Sequence, residues 1–387
     1  MENQTVESNN NWLETLQVKP FLQEAWKVSG FSAPTAIQEK SVPPILKGQD
    51  VIAESPTGTG KTLAYLIPIL HKIDPEKKSI QAVVIAPSHE LAMQIYQTVQ
   101  KWTTGTTIVP TSLIGGANIN KQIDNLKKAP HIIVGTTGRI LELIKIKKLK
   151  MHEVKSIVVD EFDVLVAQEH IGNLNHIVKA TLKDRQIVLF SATLSKQTEQ
   201  IGKDLMNQPQ LIQVKREDIA PSNTEHIYFI CEQREKIDAL LKVMRAEKMK
   251  ALVFINDFEK LSELESKLKF KGISFGTLTG NSSSSERKKV INDLRDNKIA
   301  FVVTSDVAAR GLDIEGLTHV INFDLPRDGN QYLHRTGRTG RMGASGTVYT
   351  LVTKSEESIL ARYAKKVTNS LQEKKLYGGK ITEKRGR

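Results

Sequence analysis

A glycine-rich turn joining an apolar β-type run to an apolar helix-compatible run constrains this chain more than any other feature. After Val51-Ile52-Ala53 comes Ser55-Pro56-Thr57-Gly58-Thr59-Gly60-Lys61-Thr62, and Leu63 opens a stretch that stays apolar to Leu70. A strand that passes through such a turn into a helix presents a row of backbone amides together with the positive end of the helix, a cradle for phosphate. In that cradle Lys61 would neutralise charge on the outer phosphates and Thr62 would reach Mg2+. The first position is Ser55, where the strict G-x-x-x-x-G-K-T pattern has glycine. An unliganded Gly/Thr-rich turn would share this composition, so the reading depends on what the rest of the chain supplies.

The rest repeats one pattern. Short β-branched runs (Val51-Ile52-Ala53, Ala82 to Ala86, Ile132-Ile133-Val134, Ile157 to Val159, Ile187 to Phe190) alternate with helical-period segments, and the alternation restarts at Leu252 to Ile255, Phe301 to Thr304, His319 to Phe323 and Thr347 to Val352. Continuous apolar runs separated by helices indicate parallel sheets covered on both faces, so the fold class is α/β, in two tandem domains across 387 residues. The expected division is an N-terminal extension over 1–11, a first domain over 12–213, a flexible linker over 214–222, a second domain over 223–366 and a basic tail over 367–387. The linker has four charges and a proline, with the boundary placed near Ala220. Ser282-Ser283-Ser284-Ser285 is expected to cap a helix that begins near Glu286. Residues 362–387 hold nine Lys/Arg and two Glu, a net +7 of the whole chain's +12, and are expected to form a solvated basic arm.

That charge excess favours a polyanionic partner, nucleic acid or an anionic surface. No apolar run approaches the ~20 residues of a membrane span, and the polar start lacks a signal-peptide pattern. A single cysteine, Cys231, cannot close an intramolecular disulfide. The expected setting is the reducing cytoplasm, away from membranes.

Two further segments carry chemistry. Ile157-Val158-Val159-Asp160-Glu161 ends a buried-type strand in adjacent carboxylates, suited to hold Mg2+ through Asp160 and to polarise an attacking water with Glu161 as general base. Acids at a strand end are often only solvated, but together with Lys61 they form a phosphate-chemistry set. His334-Arg335-Thr336-Gly337-Arg338-Thr339-Gly340-Arg341 repeats arginine every three residues between glycines, which suits guanidinium contacts to phosphate, whether as an arginine finger or as a nucleic-acid grip.

In this order the motifs resemble those of the DEAD-box RNA helicases of superfamily 2, over roughly residues 12 to 366, and especially the short bacterial members. The resemblance implies two recA-like domains, ATP and Mg2+ as cofactors, and RNA as partner. Gly30-Phe31-Ser32-Ala33-Pro34-Thr35-Ala36-Ile37-Gln38 matches the Q motif, implying that Phe31 stacks on adenine and Gln38 bonds its edge. Ser55, Thr57, Gly58, Thr59, Gly60, Lys61 and Thr62 then bind ATP, Thr62 and Asp160 hold the metal, and Lys61 and Glu161 are catalytic. Asp163, Ser191, Thr193, His334 and Arg335 couple the domains. Ser305-Asp306-Val307-Ala308-Ala309-Arg310-Gly311-Leu312-Asp313 resembles the segment touching both ribose and RNA, so Asp306 and Asp313 fall to ATP and Arg310 and Gly311 to RNA. By the same resemblance Arg338 and Arg341 are arginine fingers. Pro87, His89, Glu90, Gly115, Gly116, Thr136, Gly138, Arg139 and Arg287 face RNA.

Departures from the family pattern concentrate on the RNA side. His89 stands where arginine is usual, Thr137 replaces proline, and Ser284 replaces the glutamine three residues before Arg287. Histidine keeps a polar contact but carries little of arginine's charge at neutral pH. Ser305 replaces a threonine and keeps its hydroxyl; Phe162 follows Asp160-Glu161 where alanine is usual and is expected either to tune coupling or to fill a pocket. The function implied is ATP-driven, local and non-processive unwinding of RNA duplexes or remodelling of ribonucleoprotein by a monomer. Ribosomal RNA or subunit precursors are among its implied partners. A nucleotide-gated RNA clamp or assembly scaffold with little strand separation is the alternative. A DNA helicase of the same superfamily is disfavoured by the Q-motif match and the Ser191-Ala192-Thr193 and arginine variants.

Overall fold

The computed structural model describes residues 12–31, 33–56, 58–167, 170–214, 224–309, 314, 316–340, 344–365, 367–368 and 370–383. The chain divides into two compact units, Met1–Ile219 and Ala220–Arg387.

In the first unit seven strands form one sheet: β1 Val51–Glu54, β2 Ala82–Ile85, β3 Pro110–Leu113, β4 Ile132–Gly135, β5 Ser156–Val159, β6 Gln186–Ser191 and β7 Gln210–Gln213, in the order β3-β4-β2-β5-β6-β1-β7. Every pairing is parallel. Because side chains alternate across a strand, each buried run feeds two cores. Val51, Ala53, Val84, Val134, Val158, Val188 and Phe190 join the core that holds the helices Ala36–Leu46, Lys61–Lys72 and His89–Trp102. Ile52, Val83, Ile133, Ile157, Ile187 and Leu189 join the opposite one, with the helices Thr137–Lys145 and Ile171–Lys179.

The second unit has eight strands: β8 Thr224–Ile230, β9 Ala251–Phe254, β10 Gly276–Leu278, β11 Phe301–Thr304, β12 His319–Asn322, β13 Gly346–Val352, β14 Leu371–Tyr377 and β15 Lys380–Glu383. Their order is β10-β11-β9-β12-β13-β8-β14-β15. All pairs are parallel except β14 with β15. Val253, Val303 and Ile321 face one core, and Leu252, Val302 and Val320 the other.

Two expectations are corrected here. Within the segment read as a solvated arm, residues 371–383 form a hairpin: β14 pairs with β8 (Leu371↔His226, Glu373↔Tyr228), and β15 returns across Gly378-Gly379, with Tyr377 opposite Lys380. Both glycines have positive φ, 56° and 75°, which a two-residue hairpin turn of the primed type needs. The charge count masked the apolar pair Leu376↔Ile381, which packs on the core beside Ile237 and Leu241. The serine run caps its helix, but earlier: Ser283 Oγ accepts from Glu286 N and Ser283 N donates to Glu286 Oε2 (2.8 Å), so the helix is Ser284–Arg295. Among the described residues no helix is long and apolar enough to cross a membrane.

Candidate functional site

The phosphate-type loop leaves β1 and enters the helix Lys61–Lys72 through Gly60, whose φ of 89° is left-handed. The loop is held from inside. Lys61 Nζ donates to the carbonyls of Ser55 (2.7 Å) and Pro56 (2.8 Å), Thr59 Oγ1 donates to Pro56 O (2.8 Å), and it accepts from Ser55 Oγ (2.7 Å). Gln38 braces it from outside: Nε2 donates to Gly60 O (3.2 Å) while Oε1 accepts from Thr35 N (2.9 Å) at the start of the helix Ala36–Leu46. A Cβ on Gly60 would lie 2.6 Å from Gln38 Nε2, so glycine is required there by space as well as by φ. Gly58 is exposed and also left-handed, with φ 80°. Phe31, seven residues before Gln38, rests 5.1 Å from Trp26, which lies 5.4 Å from Trp12 and 6.4 Å from Trp102. Trp26, flanked by the chain's other two tryptophans, thus packs against the Phe31 ring.

The acid pair follows β5. Asp160 is buried; its Oδ2 accepts from Tyr65 OH (2.8 Å) and its Oδ1 from Glu161 N (2.9 Å). Burial pushes the Asp160 carboxyl above its ordinary range, against the pull of the Lys61 ammonium and the Tyr65 hydroxyl. Burial, then the Asp160 charge, hold the Tyr65 phenol well above its ordinary range, so it stays a donor. Sequence reasoning missed Tyr65, although it stands four residues after Lys61 on a helix and therefore on the same face. Glu161 is buried and takes a φ of 48°, a strained conformation for a non-glycine residue. The Thr62 hydroxyl and the Asp160 carboxylate are hard oxygen donors, which suits Mg2+. Among the described residues no group of three or more His, Cys, Asp or Glu is placed to hold a metal ion.

Next to this set, Asp163 Oδ2 accepts from Thr193 Oγ1 (2.8 Å), and Ser191 Oγ donates to Thr193 O (2.6 Å). Glu54, which sequence reasoning also missed, accepts from Leu194 N (2.9 Å) and Gln213 Nε2 (3.0 Å), tying the end of β1 to the loop after β6. The Phe162 ring is fully buried beneath the sheet; a Cβ on Gly202 would lie 3.4 Å from it. The same Cβ would lie 3.1 Å from Ile52 and Leu189, so Gly202 packs closely on the core that holds the ring.

The residues assigned to RNA in this unit follow β2, β3 and β4. Ser88 Oγ caps the helix His89–Trp102 by accepting from Leu91 N (3.2 Å), after half-buried Pro87 and with half-buried Glu90 in the first turn. His89 is exposed, and a Cβ on Gly115 would lie 3.0 Å from its Nε2; Gly116 has φ 70°. Thr136 N donates to Leu113 O (3.0 Å), and Gly138 is exposed with open space where a Cβ would be. Arg139 donates to Ala117 O (3.1 Å) and Glu142 Oε2 (2.9 Å), so it tethers the Gly115-Gly116 loop.

In the second unit the assigned arginines are held by their own surroundings. Arg335, expected to couple domains, spends all five of its N–H donors inside its own unit. They go to Asp306 Oδ1 (2.7 Å) and Oδ2 (2.6 Å), Asn256 Oδ1 (2.6 Å), Asn322 Oδ1 (3.3 Å) and Asp324 O (2.8 Å). Its side chain is 1% exposed and lies 5.0 Å over the Phe254 ring. A buried guanidinium must be fully satisfied, and Asp306, expected at ATP, is its bidentate partner here. Arg287 donates to the carbonyls of Ser282, Thr279 and Ala308 and so pins the chain just before Arg310. His334 is half-buried on the helix Gly329–Thr336, and Arg338 is buried in the turn beyond it. That turn is pressed on β8: Gly340 has φ 65°, and a Cβ there would lie 2.0 Å from Thr224 Oγ1. Thr57, Arg310, Gly311, Asp313 and Arg341 lie outside the described residues.

A glycine cradle after β1, an acid pair after β5 and an arginine-bearing turn on a second parallel sheet define a P-loop nucleotide hydrolase built from two recA-like units. The DEAD/DEAH box helicase family model matches residues 35–201, and the helicase conserved C-terminal domain matches residues 234–343. The chain is 50% identical to the DEAD-box ATP-dependent RNA helicase CshC of Bacillus cereus, over 95% of this chain and 94% of that one. It is 49% identical to the probable ATP-dependent RNA helicase YfmL of Bacillus subtilis, over 96% and 99%. Among solved structures, S. cerevisiae Dbp5 bound to RNA and ADP BeF3 superposes with a TM-score of 0.85 at 30% identity, over 93% of this chain and 95% of that one. Mss116p bound to ssRNA and AMP-PNP gives 0.82 at 26% identity, over 96% and 80%. The chain belongs to the DEAD-box ATP-dependent RNA helicases, and with that family it is an RNA-dependent ATPase.

Proposed function

We propose that this enzyme separates short RNA duplexes locally and non-processively, by binding ATP and single-stranded RNA in one closed state that hydrolysis reopens. The observation that carries the proposal is how the carboxyl edge of the first sheet is shared. Nucleotide-type loops follow β1, β5 and β6, RNA-type segments follow β2, β3 and β4, and β5 is the direct neighbour of β2. One rigid edge therefore holds both ligand sets, and a change in one is felt by the other.

In this reading Phe31 stacks on adenine, Gln38 bonds its edge, and the loop 55–62 wraps the phosphates, with Lys61 turning from the Ser55 and Pro56 carbonyls to meet them. Mg2+, held through Thr62 and Asp160, would neutralise phosphate charge. Glu161 orients and deprotonates the attacking water, with Arg338 and Arg341 stabilising the charge that develops. Asp163, Ser191, Thr193 and His334 relay nucleotide state to RNA. RNA is gripped through phosphate and 2′-hydroxyl groups at Pro87, His89, Glu90, Gly115, Gly116, Thr136, Gly138, Arg139, Arg310 and Gly311, which makes recognition sequence-tolerant and salt-dependent. Sequence-tolerant binding suits abundant structured RNA, and we assign the enzyme, as a monomer in the cytoplasm, to ribosomal RNA and subunit precursors.

Steady-state ATP hydrolysis with and without single-stranded RNA or DNA at fixed salt tests the proposal, with Glu161→Gln as control. Stimulation by RNA and not DNA, abolished in the variant, followed by ATP-dependent separation of a short duplex, is the expected result. Equal stimulation by DNA, or ATPase without strand separation, overturns it.

A further inference from the structure

The hairpin β14–β15 presents two different faces. Residues opposite one another or two apart share a face of a hairpin. Leu376 and Ile381 turn inward to the core, which leaves Lys375, Tyr377, Lys380 and Thr382 on the other side. There Tyr377 is 80% exposed, opposite Lys380 and two residues from Lys375, both also exposed. Of the hairpin's acids, Glu383 pairs with Lys374 (3.2 Å), and Glu373, two residues before Lys375 on the same face, lies beside Tyr228 of β8, whose hydroxyl donates to Glu357 (2.9 Å). Among the described residues Lys375 and Lys380 have no acidic partner. An exposed aromatic ring set between two unpaired ammonium groups matches a nucleobase flanked by its phosphates.

We infer that this face is a second contact surface for single-stranded RNA, in which Tyr377 stacks on a base and Lys375 and Lys380 meet the neighbouring phosphates. It lies on the far edge of the second sheet, separated from β12 by β13 and β8. It would hold RNA beside the strand being remodelled, and it does not depend on bound nucleotide. The inference rests on the chain acting on RNA.

Fluorescence anisotropy of a labelled single-stranded RNA, titrated with the full chain in the absence of nucleotide and over a series of salt concentrations, tests it. Tyr377→Ala should weaken binding by about 5- to 150-fold, as loss of one stacked base does, while Tyr377→Phe keeps the affinity. Lys375→Ala with Lys380→Ala should lower the slope of log affinity against log salt by about 1.4, the contribution of two single-strand phosphates. All three variants should keep the wild-type ATPase rate measured without RNA, since none of these residues belongs to the nucleotide site. If the wild type shows RNA-stimulated ATPase while the variants bind RNA with unchanged affinity and salt slope, the hairpin surface is overturned and the helicase reading stands. Absence of RNA-stimulated ATPase in the wild type overturns the helicase reading and this surface with it. A change of oligomeric state in the Tyr377→Ala variant with unchanged RNA affinity overturns it in favour of strand-edge pairing between copies.

Discussion

Two residues show how neighbours distant in sequence decide what a substitution does. Phe162 stands in the acid motif, where sequence comparison suggests a role in tuning activity, yet its ring is fully buried and fits against Gly202. Phe162→Ala should therefore act first on stability, lowering the unfolding free energy of the first unit by about 3–5 kcal/mol through the cavity it leaves. Gly202→Ala should cost about 1–3 kcal/mol in the wild type, where a Cβ would meet Ile52 and Leu189 at 3.1 Å, and less in the Phe162→Ala background, into which those side chains can relax. Urea denaturation of the four variants checks this, and additive costs would reject the packing account. Lys72 supplies a pH dependence. Burial lowers its pKa from 10.5 to about 8, while its Nζ donates to Gln186 Oε1 (2.6 Å) and Ile45 O. The folded state then binds fewer protons than the unfolded state between about pH 8 and 10.5, so stability rises with pH across that window and the full penalty applies below it. Against Lys72→Met, the wild type should gain about 1–2 kcal/mol from pH 7.5 to 10, allowing for partial solvent screening. A difference between the two proteins that stays flat with pH would refute it.

At the scale of elements, what could be read from the sequence was what is contiguous in it. The loop 55–62, the Asp160-Glu161 pair and the arginine repeat are each contiguous in the sequence, and the chemistry proposed for them rests on that local spacing. The five bonds of Arg335 join residues up to 79 positions apart, and no local pattern reveals that Asp306 and Arg335 are partners. The β14–β15 hairpin was hidden for another reason: charge dominated its composition, although the Gly-Gly turn and the alternation about Leu376 and Ile381 were visible signals. Its structural role alters what a truncation means. Deleting the residues after Thr368 strips β14 from β8, uncovers the Leu376 and Ile381 contacts and leaves a seven-residue strand edge unpaired. The truncated chain should melt several degrees lower in its second unit and tend to self-associate. Differential scanning calorimetry with light scattering checks this, and an unchanged transition would mean the hairpin adds nothing to the fold. For the same reason, point substitutions on the exposed face are a cleaner probe of RNA contact than deletion.

For the whole molecule, the division into two units predicts how activity responds to cutting the chain. Each unit has its own parallel sheet and its own cores on both faces, so each satisfies the requirements of an independent domain. The proposed chemistry is not divided in the same way: of the residues proposed for it, Lys61, Asp160 and Glu161 belong to the first unit and Arg338 to the second. Fragments 12–214 and 224–387 should each unfold in a single cooperative transition, and circular dichroism should find native α/β structure in both. The first fragment should bind ATP through its phosphate loop yet hydrolyse it at least ~1000-fold more slowly than the full chain with RNA, because arginine fingers supply 10³ to 10⁵ in rate in P-loop enzymes. Mixing the fragments at micromolar concentration should restore little, since covalent linkage gives one unit an effective concentration near the other of about millimolar order. RNA-stimulated hydrolysis by the first fragment by itself would show that the second unit supplies no group to the reaction. The arginine turn would then be assigned to holding RNA, the other use open to guanidinium groups repeated every third residue.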